Sequence, residues 1–407
     1  MQRNKPELLS PAGNPEKMKV ALLYGADAVY LGGKSFGLRA MGGNFSRAEL
    51  QEAMEFAHGL GKKVYVTVNI FPHNADLADL PDYLRFLRDI DTDALLVADL
   101  GVFQLARELV PELPLHVSTQ ANNVNYLTAE AWRKLGAERV VLARELSLGE
   151  VPEIRKHTET ELELFVHGAM CISYSGRCLL SNYFTGRDAN RGACVQSCRW
   201  QYALTEASRP GEYFPIEEDE RGTYIMNSKD LCLLPYLPQV IESGADSLKI
   251  EGRMKSVHYV ASVTKAYREA IDSYWAAPEQ FEVRQEWLDE LEKVSHRPYT
   301  SGFALAKPTA DSQVYSSSSY LQTSDFVGLV LGYDEKTGYA TVEQRNNMKC
   351  GQELEFFCPQ GQGFRQLLAD MLDSEGQPIE VAPHAQQVVK IRVDKPVEPY
   401  TILRRDV

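Results

Sequence analysis

No apolar run in these 407 residues approaches the ~18 consecutive positions that a membrane-spanning helix requires. The opening residues, Met1-Gln2-Arg3-Asn4-Lys5-Pro6-Glu7, carry no apolar core of the kind a secretory signal needs. Both absences predict a cytoplasmic protein with no membrane partner. Basic charge is short as well: the formal balance is −13, which excludes nonspecific nucleic-acid binding over the whole surface and leaves only a local basic patch. Cysteine is scarce, seven in all; an odd number without an export signal argues against a disulfide framework and for ligands or free thiols. No His-Glu-x-x-His is present, and no Gly-x-Gly-x-x-Gly follows the first strand-like run. What remains is an ordinary globular composition, 44% apolar and 24% charged.

Four of the seven cysteines, Cys171, Cys178, Cys194 and Cys198, lie within 28 positions, separated by six, fifteen and three residues. They follow an apolar run at 162–166 that ends in His167-Gly168-Ala169-Met170. Several sulfurs in one loop can converge on one point, as a metal or iron–sulfur centre needs. Spacing alone divides evenly between a structural zinc knot and an iron–sulfur cluster. The Cys-x-x-x-Cys-x-x-Cys pattern of radical chemistry is not completed, because Gln201 stands at its last position. Cys232 falls in a helical pattern, and Cys350 and Cys358 in a β-rich region; buried thiols are the expectation for all three.

Over the first ~275 residues, β-rich runs at 7–10, 28–31, 63–68, 94–97, 115–118, 139–142, 162–166 and 247–250 alternate with amphipathic stretches such as 47–60, 77–90 and 124–135. Eight such units predict a TIM-like (β/α)8 barrel. Gly25-Ala26-Asp27, Gly136-Ala137-Glu138 and Gly244-Ala245-Asp246 recur at helix-to-strand joints, where glycine suits a left-handed helix end. About 80 residues separate the seventh and eighth strands, so residues 167–246 form a cysteine-bearing insertion with a polar excursion at 205–224 and a helix at 228–241. Further helices are expected from 256 to about 275 and over 278–294. Beyond Ser316-Ser317-Ser318-Ser319 the texture changes to short strands at 326–331, 339–343, 353–357 and 388–393, a small all-β barrel. The expected division is a catalytic barrel over 1–305 and a β domain over 306–407.

Functional residues of such barrels sit at the carboxyl ends of the strands. Reading past each run gives Asn69, Gln120 with Asn122, Arg144-Glu145, His167 and Glu251-Gly252-Arg253. Strand-to-loop junctions are polar in any case, so the set counts for more than any member. Arg39, Arg144, Arg253 and Lys255 are the cations nearest the inferred mouth, and arginine forks match carboxylates or phosphates. Pairing with Glu145 or Glu251 accounts equally well for Arg144. His167 is a candidate acid or base, and equally a structural hydrogen-bonder.

The runs Glu163-Leu164-Phe165-Val166-His167-Gly168-Ala169-Met170-Cys171, Tyr174-Ser175-Gly176-Arg177-Cys178 and Asn190-Arg191-Gly192-Ala193-Cys194-Val195-Gln196-Ser197-Cys198-Arg199 closely resemble the signature of the collagenase-like peptidase family U-32. Leu9-Ser10-Pro11-Ala12-Gly13-Asn14 and Lys249-Ile250-Glu251-Gly252-Arg253-Met254-Lys255-Ser256 agree with it too. Despite the family's label, the resemblance implies an oxygen-independent hydroxylase. With this length and an appended β domain, it points to the branch that converts the wobble uridine of tRNA to 5-hydroxyuridine with prephenate as oxygen donor. Relatives in the family act on an rRNA cytidine or on ubiquinone precursors. The resemblance also implies a 4Fe–4S cluster on Cys171, Cys178, Cys194 and Cys198, with Cys232 a substitute for the fourth. At the inferred mouth, His167, Glu251 and Arg253 are the candidate catalytic residues, and Arg39, Asn69, Gln120, Asn122, Arg144, Glu145 and Lys255 the candidate substrate-binding residues. The anticodon loop of tRNA is the implied partner and the β domain its candidate docking arm. A metalloprotease and a zinc-bearing RNA scaffold are the competing classes; all-sulfur ligands, which close a metal site, count against the protease.

Overall fold

The computed structural model describes residues 4–37, 43–170, 180–187, 194–197, 203–204, 214–215, 227–306, 313–314 and 321–407. Eight parallel strands close on themselves: β1 (Glu7–Pro11), β2 (Ala28–Leu31), β3 (Lys63–Val68), β4 (Ala94–Val97), β5 (Leu115–Val117), β6 (Arg139–Val141), β7 (Glu161–Ala169) and β8 (Ser247–Ile250). Each pairs with its neighbour in the chain, and β8 pairs with both β7 and β1. Around them lie α1 (Pro15–Leu23), α2 (Arg47–Gly59), α3 (Leu80–Asp89), α4 (Leu100–Leu109), α5 (Tyr126–Leu135) and α6 (Val151–His157). α7 (Leu180–Thr185), α8 (Leu237–Glu242), α9 (Val257–Ala276) and α10 (Gln285–Glu292) follow. The (β/α)8 expectation is met. Among the described residues no helix is long and apolar enough to cross a membrane.

Local chemistry sets the joints. Gly25, Gly136 and Gly244 take φ of 109°, 102° and 89°, the left-handed conformation that ends a helix at little cost only for glycine. The carboxylates of Asp27, Asp93 and Asp246, each just before a strand, accept the backbone N–H of Leu8, Val64 and Leu162 at 2.7–2.9 Å. Each thus ties a strand to the start of its neighbour. β4 shows the burial typical of parallel sheets, all four residues covered by helices outside and side chains inside.

The barrel interior is layered by the two-residue period of the strands. At its lower end Arg139 meets Glu7, Glu161 and Glu163, and Lys249 meets Glu163 at 2.6 Å. Burial raises the Glu163 pKa, but Lys249 and Arg139 outweigh it and hold the carboxylate ionised. Above lie Leu9, Tyr30 and Leu96, an apolar plug.

Two expected helices differ. Within residues 228–241 only Leu234–Tyr236 (a 3-10 turn) and α8 are helical; Asp230–Cys232 is instead a short strand, antiparallel to the end of β7. Pro235 and Pro238, each at the start of a helical segment, confine helix to the last turns. Over 278–294 only Pro278–Gln280 (a 3-10 turn) and α10 are helical. The expected excursion at 205–224 lies outside the described residues apart from the Phe214–Pro215 strand.

The carboxyl-terminal segment folds into a seven-stranded antiparallel sheet, a half-barrel. Its strands are β9 (Ser324–Asp334), β10 (Tyr339–Gln344), β11 (Glu353–Phe357), β12 (Phe364–Leu367), β13 (Met371–Leu372), β14 (Val388–Arg392) and β15 (Ile402–Asp406). One face buries Val327, Val342, Leu354, Phe356 and Ile391. The sheet docks on α1 and α9 through Leu329, Phe357 and Ile402 against Val20, Tyr24 and Ala261. The Tyr24 hydroxyl donates to the carbonyl of Phe357 at 2.6 Å.

Candidate active site

The carboxyl ends of the strands carry a polar ring. Thr67 and Asn69 share the inward face of β3 by their two-residue spacing, as Ser118 and Gln120 do past β5. Asn69 Nδ2 donates to Gln120 Oε1 at 2.7 Å, and Ser118 Oγ donates to the same oxygen at 3.2 Å. Gln120 is buried in the 3-10 turn Thr119–Ala121, which Asn122 ends with φ of 56°. Gln120 Nε2, Asn122 Oδ1 and Glu145 Oε2 are buried and accept or donate no hydrogen bond among the described residues. Glu145 is held above the usual carboxylate range, because burial outweighs its own amide and the nearby Arg144.

Arg144 sits over the Phe165 ring, 3.8 Å from its centroid, and its Nη2 reaches Glu251 Oε2 at 3.4 Å. Lys249 approaches the same ring at 5.5 Å. Arg253 is buried: Nη2 donates to Asn44 Oδ1 at 2.7 Å and Nη1 to Thr67 Oγ1 at 3.3 Å. Lys255 points elsewhere, donating to the Ser295 carbonyl at 2.8 Å and lying 3.6 Å from Asp230.

Glycines shape this segment. A Cβ on Gly13 would fall 2.1 Å from the Arg253 carbonyl oxygen, one on Gly32 2.5 Å from Arg253 Nη2, and one on Gly168 2.4 Å from the Glu251 oxygen. Glu251 N donates to the His167 carbonyl and Glu251 O accepts from the Tyr259 hydroxyl, both at 2.9 Å. Backbone clamps on both sides therefore fix where the Glu251 and Arg253 side chains start.

His167 is not in the ring. The β7–β8 register slips between Lys249 and Ile250, which lie opposite Phe165 and His167, so the inward alternation breaks at Val166. The imidazole packs instead among Tyr259, Tyr267 and Tyr299. Burial, with Lys255 and His296 nearby, lowers its pKa to about 3, and Nε2 has no partner among the described residues. It is a neutral ring behind the wall.

Asn69, Gln120, Asn122, Arg144, Glu145, Glu251 and Arg253 thus gather at one end of the barrel, while Arg39, Cys171, Cys178 and Cys198 lie outside the described residues. Cys194 is described: half-buried, its Sγ accepts the Gln196 N–H at 3.3 Å. A backbone N–H donated to sulfur is the contact that a metal-bound sulfur accepts, so the surroundings of Cys194 fit a ligand. Cys232 is 5% exposed, and burial pushes its thiol up to about 11, the buried thiol expected of it. Sequence reading passed over Asn44, Thr67, Phe165 and Tyr259. Thr67 and Phe165 could have been found from the two-residue period that links them to Asn69 and to Glu163; Asn44 and Tyr259 are brought in by a loop and a helix that no local pattern orients.

Family models match in two stretches: peptidase family U32 over residues 13–314 and the peptidase family U32 C-terminal domain over 322–404. The chain belongs to peptidase family U32. It is 45% identical to tRNA hydroxylation protein P1 of Bacillus subtilis, covering 98% of this chain and 95% of that protein. The identity to tRNA hydroxylation protein P of Escherichia coli is 40%, over 99% and 97%. A third U32 relative, the E. coli 23S rRNA 5-hydroxycytidine C2501 synthase, is 35% identical over 80% of this chain but only 48% of its own length.

Proposed function

We propose that this protein hydroxylates tRNA, converting the wobble uridine to 5-hydroxyuridine with prephenate as oxygen donor. The observation that carries this is the end-to-end match, β domain included, to proteins named for tRNA hydroxylation. The rRNA synthase, by contrast, extends well beyond this chain.

The polar ring supports the reading. Prephenate is a dicarboxylate, and Arg144 and Arg253 place two guanidinium groups at one end of the barrel. Gln120 Nε2 offers a further donor, and Glu145 a carboxyl that accepts a proton more readily than its usual range allows. A base from an unpaired anticodon loop can be splayed out into such a pocket, where duplex bases cannot. Cys171, Cys178, Cys194 and Cys198 would hold a 4Fe–4S cluster, which supplies electron-transfer chemistry when bound.

Deletion of the gene, in a strain without a paralogue, should abolish 5-hydroxyuridine derivatives in bulk tRNA as read by nucleoside mass spectrometry. Unchanged levels would refute the assignment. Protein purified without air should be brown with about four irons, and Cys178→Ala should lose colour and modification together. A colourless protein with one zinc would remove the cluster.

A further inference from the structure

The half-barrel carries one outward face that the barrel does not cover. β10 and β14 pair with Tyr339 opposite Arg392 and Thr341 opposite Lys390, so these four side chains share a face. Val389 and Ile391 point into the core, whereas Val388, Lys390 and Arg392 are exposed. Leu372, opposite Lys390 on the other side, extends the patch.

Charge sets this face apart. Residues 322–407 hold 13 acidic and 9 basic side chains. Arg345, Arg365, Arg404 and Arg405 are engaged by carboxylates. The other five cations, Lys336, Lys349, Lys390, Arg392 and Lys395, form no ion pair among the described residues, and of these Lys390 and Arg392 stand about 7 Å apart on one strand. Of the neighbouring acids, Asp334 accepts from the Lys336 amide and the Thr337 hydroxyl and also feels the charge of Lys390, while Glu343 pairs with Arg345 at 2.6 Å. An acidic domain therefore presents two adjacent cations beside a half-exposed tyrosine.

The strand also leads from the barrel rim. Arg345, directly after β10, pairs with Glu16 in the first turn of α1, which follows the loop after β1. Tyr339 lies six residues back along β10, about 20 Å away at ~3.3 Å per residue.

We propose that Tyr339, Lys390 and Arg392 form an RNA-docking surface for the anticodon arm of the tRNA whose nucleotide enters the barrel. The two cations would take backbone phosphates and the tyrosine ring an unpaired base, the combination that single-stranded RNA sites use. This rests on the tRNA reading above, and it explains how a protein of net charge −13 holds a polyanion.

The test compares the full chain with Lys390→Glu/Arg392→Glu, with Tyr339→Ala and with the charge-preserving Lys390→Arg/Arg392→Lys, all against unmodified anticodon stem-loop RNA. Fluorescence anisotropy is read over a salt series. The double glutamate variant should bind at least ~10-fold more weakly near 0.1 M salt, with the log–log salt slope smaller by about 1.4–1.8 for two lost phosphate contacts. Tyr339→Ala should weaken binding ~5–100-fold with the slope kept, and the charge-preserving variant should match wild type. Near-identical melting midpoints for all four proteins establish that the fold is intact. Wild-type affinity and slope in the double glutamate variant, with tRNA hydroxylation intact, would assign the face to something other than RNA and overturn the proposal alone. A wild-type chain that neither binds nor hydroxylates tRNA would overturn the functional reading and this surface with it.

Discussion

A single methyl group measures how tightly the Glu251–Arg253 segment is held. Gly168 takes φ of 105°, and its added Cβ would lie 2.4 Å from the Glu251 carbonyl oxygen. Gly61 has φ of 66° with nothing within 4 Å of its added Cβ. Both alanine substitutions carry the cost of a left-handed residue, about 1–2 kcal/mol, but only Gly168→Ala must also push Glu251 aside. Gly61→Ala should therefore lower the melting midpoint modestly and keep full tRNA hydroxylation. Gly168→Ala should lose more stability and at least ~10-fold in activity; a rate equal to that of Gly61→Ala would show that the clamp on Glu251 does not matter. The buried histidines make a second residue-scale prediction. His167 and His258 both have pKa values lowered to about 3, chiefly by burial. Unfolded, each would protonate near 6.5. Below pH 6.5 the unfolded chain binds protons that the folded chain refuses, so stability falls as pH drops toward 3 and is flat above about 7. Each contributes a slope of up to ~1.4 kcal/mol per pH unit in that window. Urea unfolding between pH 7 and 5 should show it, and His258→Gln should flatten it by about one histidine's share.

At the scale of elements, the eight barrel strands were legible because parallel strands covered on both faces read as short apolar runs between amphipathic helices. The Gly-Ala-Asp joints were legible because only glycine takes the helix end cheaply. The interior charges were not. Arg139, Glu163 and Lys249 each look like an edge residue of an apolar run, and their meaning appears only when β6, β7 and β8 bring them together. The helix expected at 228–241 failed for a related reason: β7 extends past the barrel and offers Asp230–Cys232 an edge to pair with, which outweighs local helical periodicity. His167 was misplaced by a one-residue register slip that sequence does not announce. Lys249 supplies the corresponding experiment. Lys249→Met should cost about 3–5 kcal/mol, because it leaves the fully buried Glu163 with Arg139 as its one remaining cation among the described residues. Adding Glu163→Gln to it should restore part of that loss. If the two losses simply add in chemical denaturation, the buried pair carries no coupling.

For the whole molecule, the decisive contact is Arg404, 1% exposed between the barrel's α10 and the half-barrel. Its guanidinium holds Glu290 through both carboxylate oxygens at 2.6 and 2.7 Å and Glu355 at 2.7 Å, with His258 Nε2 at 3.3 Å. Burial raises the pKa of Glu355, but the hydrogen bond and charge of Arg404, aided by Lys293, hold it down at about 2. That stabilisation is present above the unfolded value near 4.5 and is lost as pH falls toward 2. His258 stands on the first turn of α9, whose N-cap Ser256 directly follows Lys255 and the Glu251–Arg253 segment. The half-barrel is therefore clamped to the helix that begins where the polar ring ends. Arg404→Met would leave the partly buried Glu290 and Glu355 with Lys293 beside both and Arg365 beside Glu355, so the loss should fall below the about 3–5 kcal/mol of an uncompensated buried charge. Calorimetry should then resolve two unfolding transitions where wild type shows one, since the apolar contact through Val20, Tyr24 and Phe357 is small beside either core. Tight coupling of the docked sheet to the ring would also show as slower tRNA hydroxylation below the first transition. A single transition at the wild-type midpoint would mean that the remaining contacts, the apolar packing with Tyr24–Phe357, Arg345–Glu16 and Lys293–Glu355, join the two parts without Arg404.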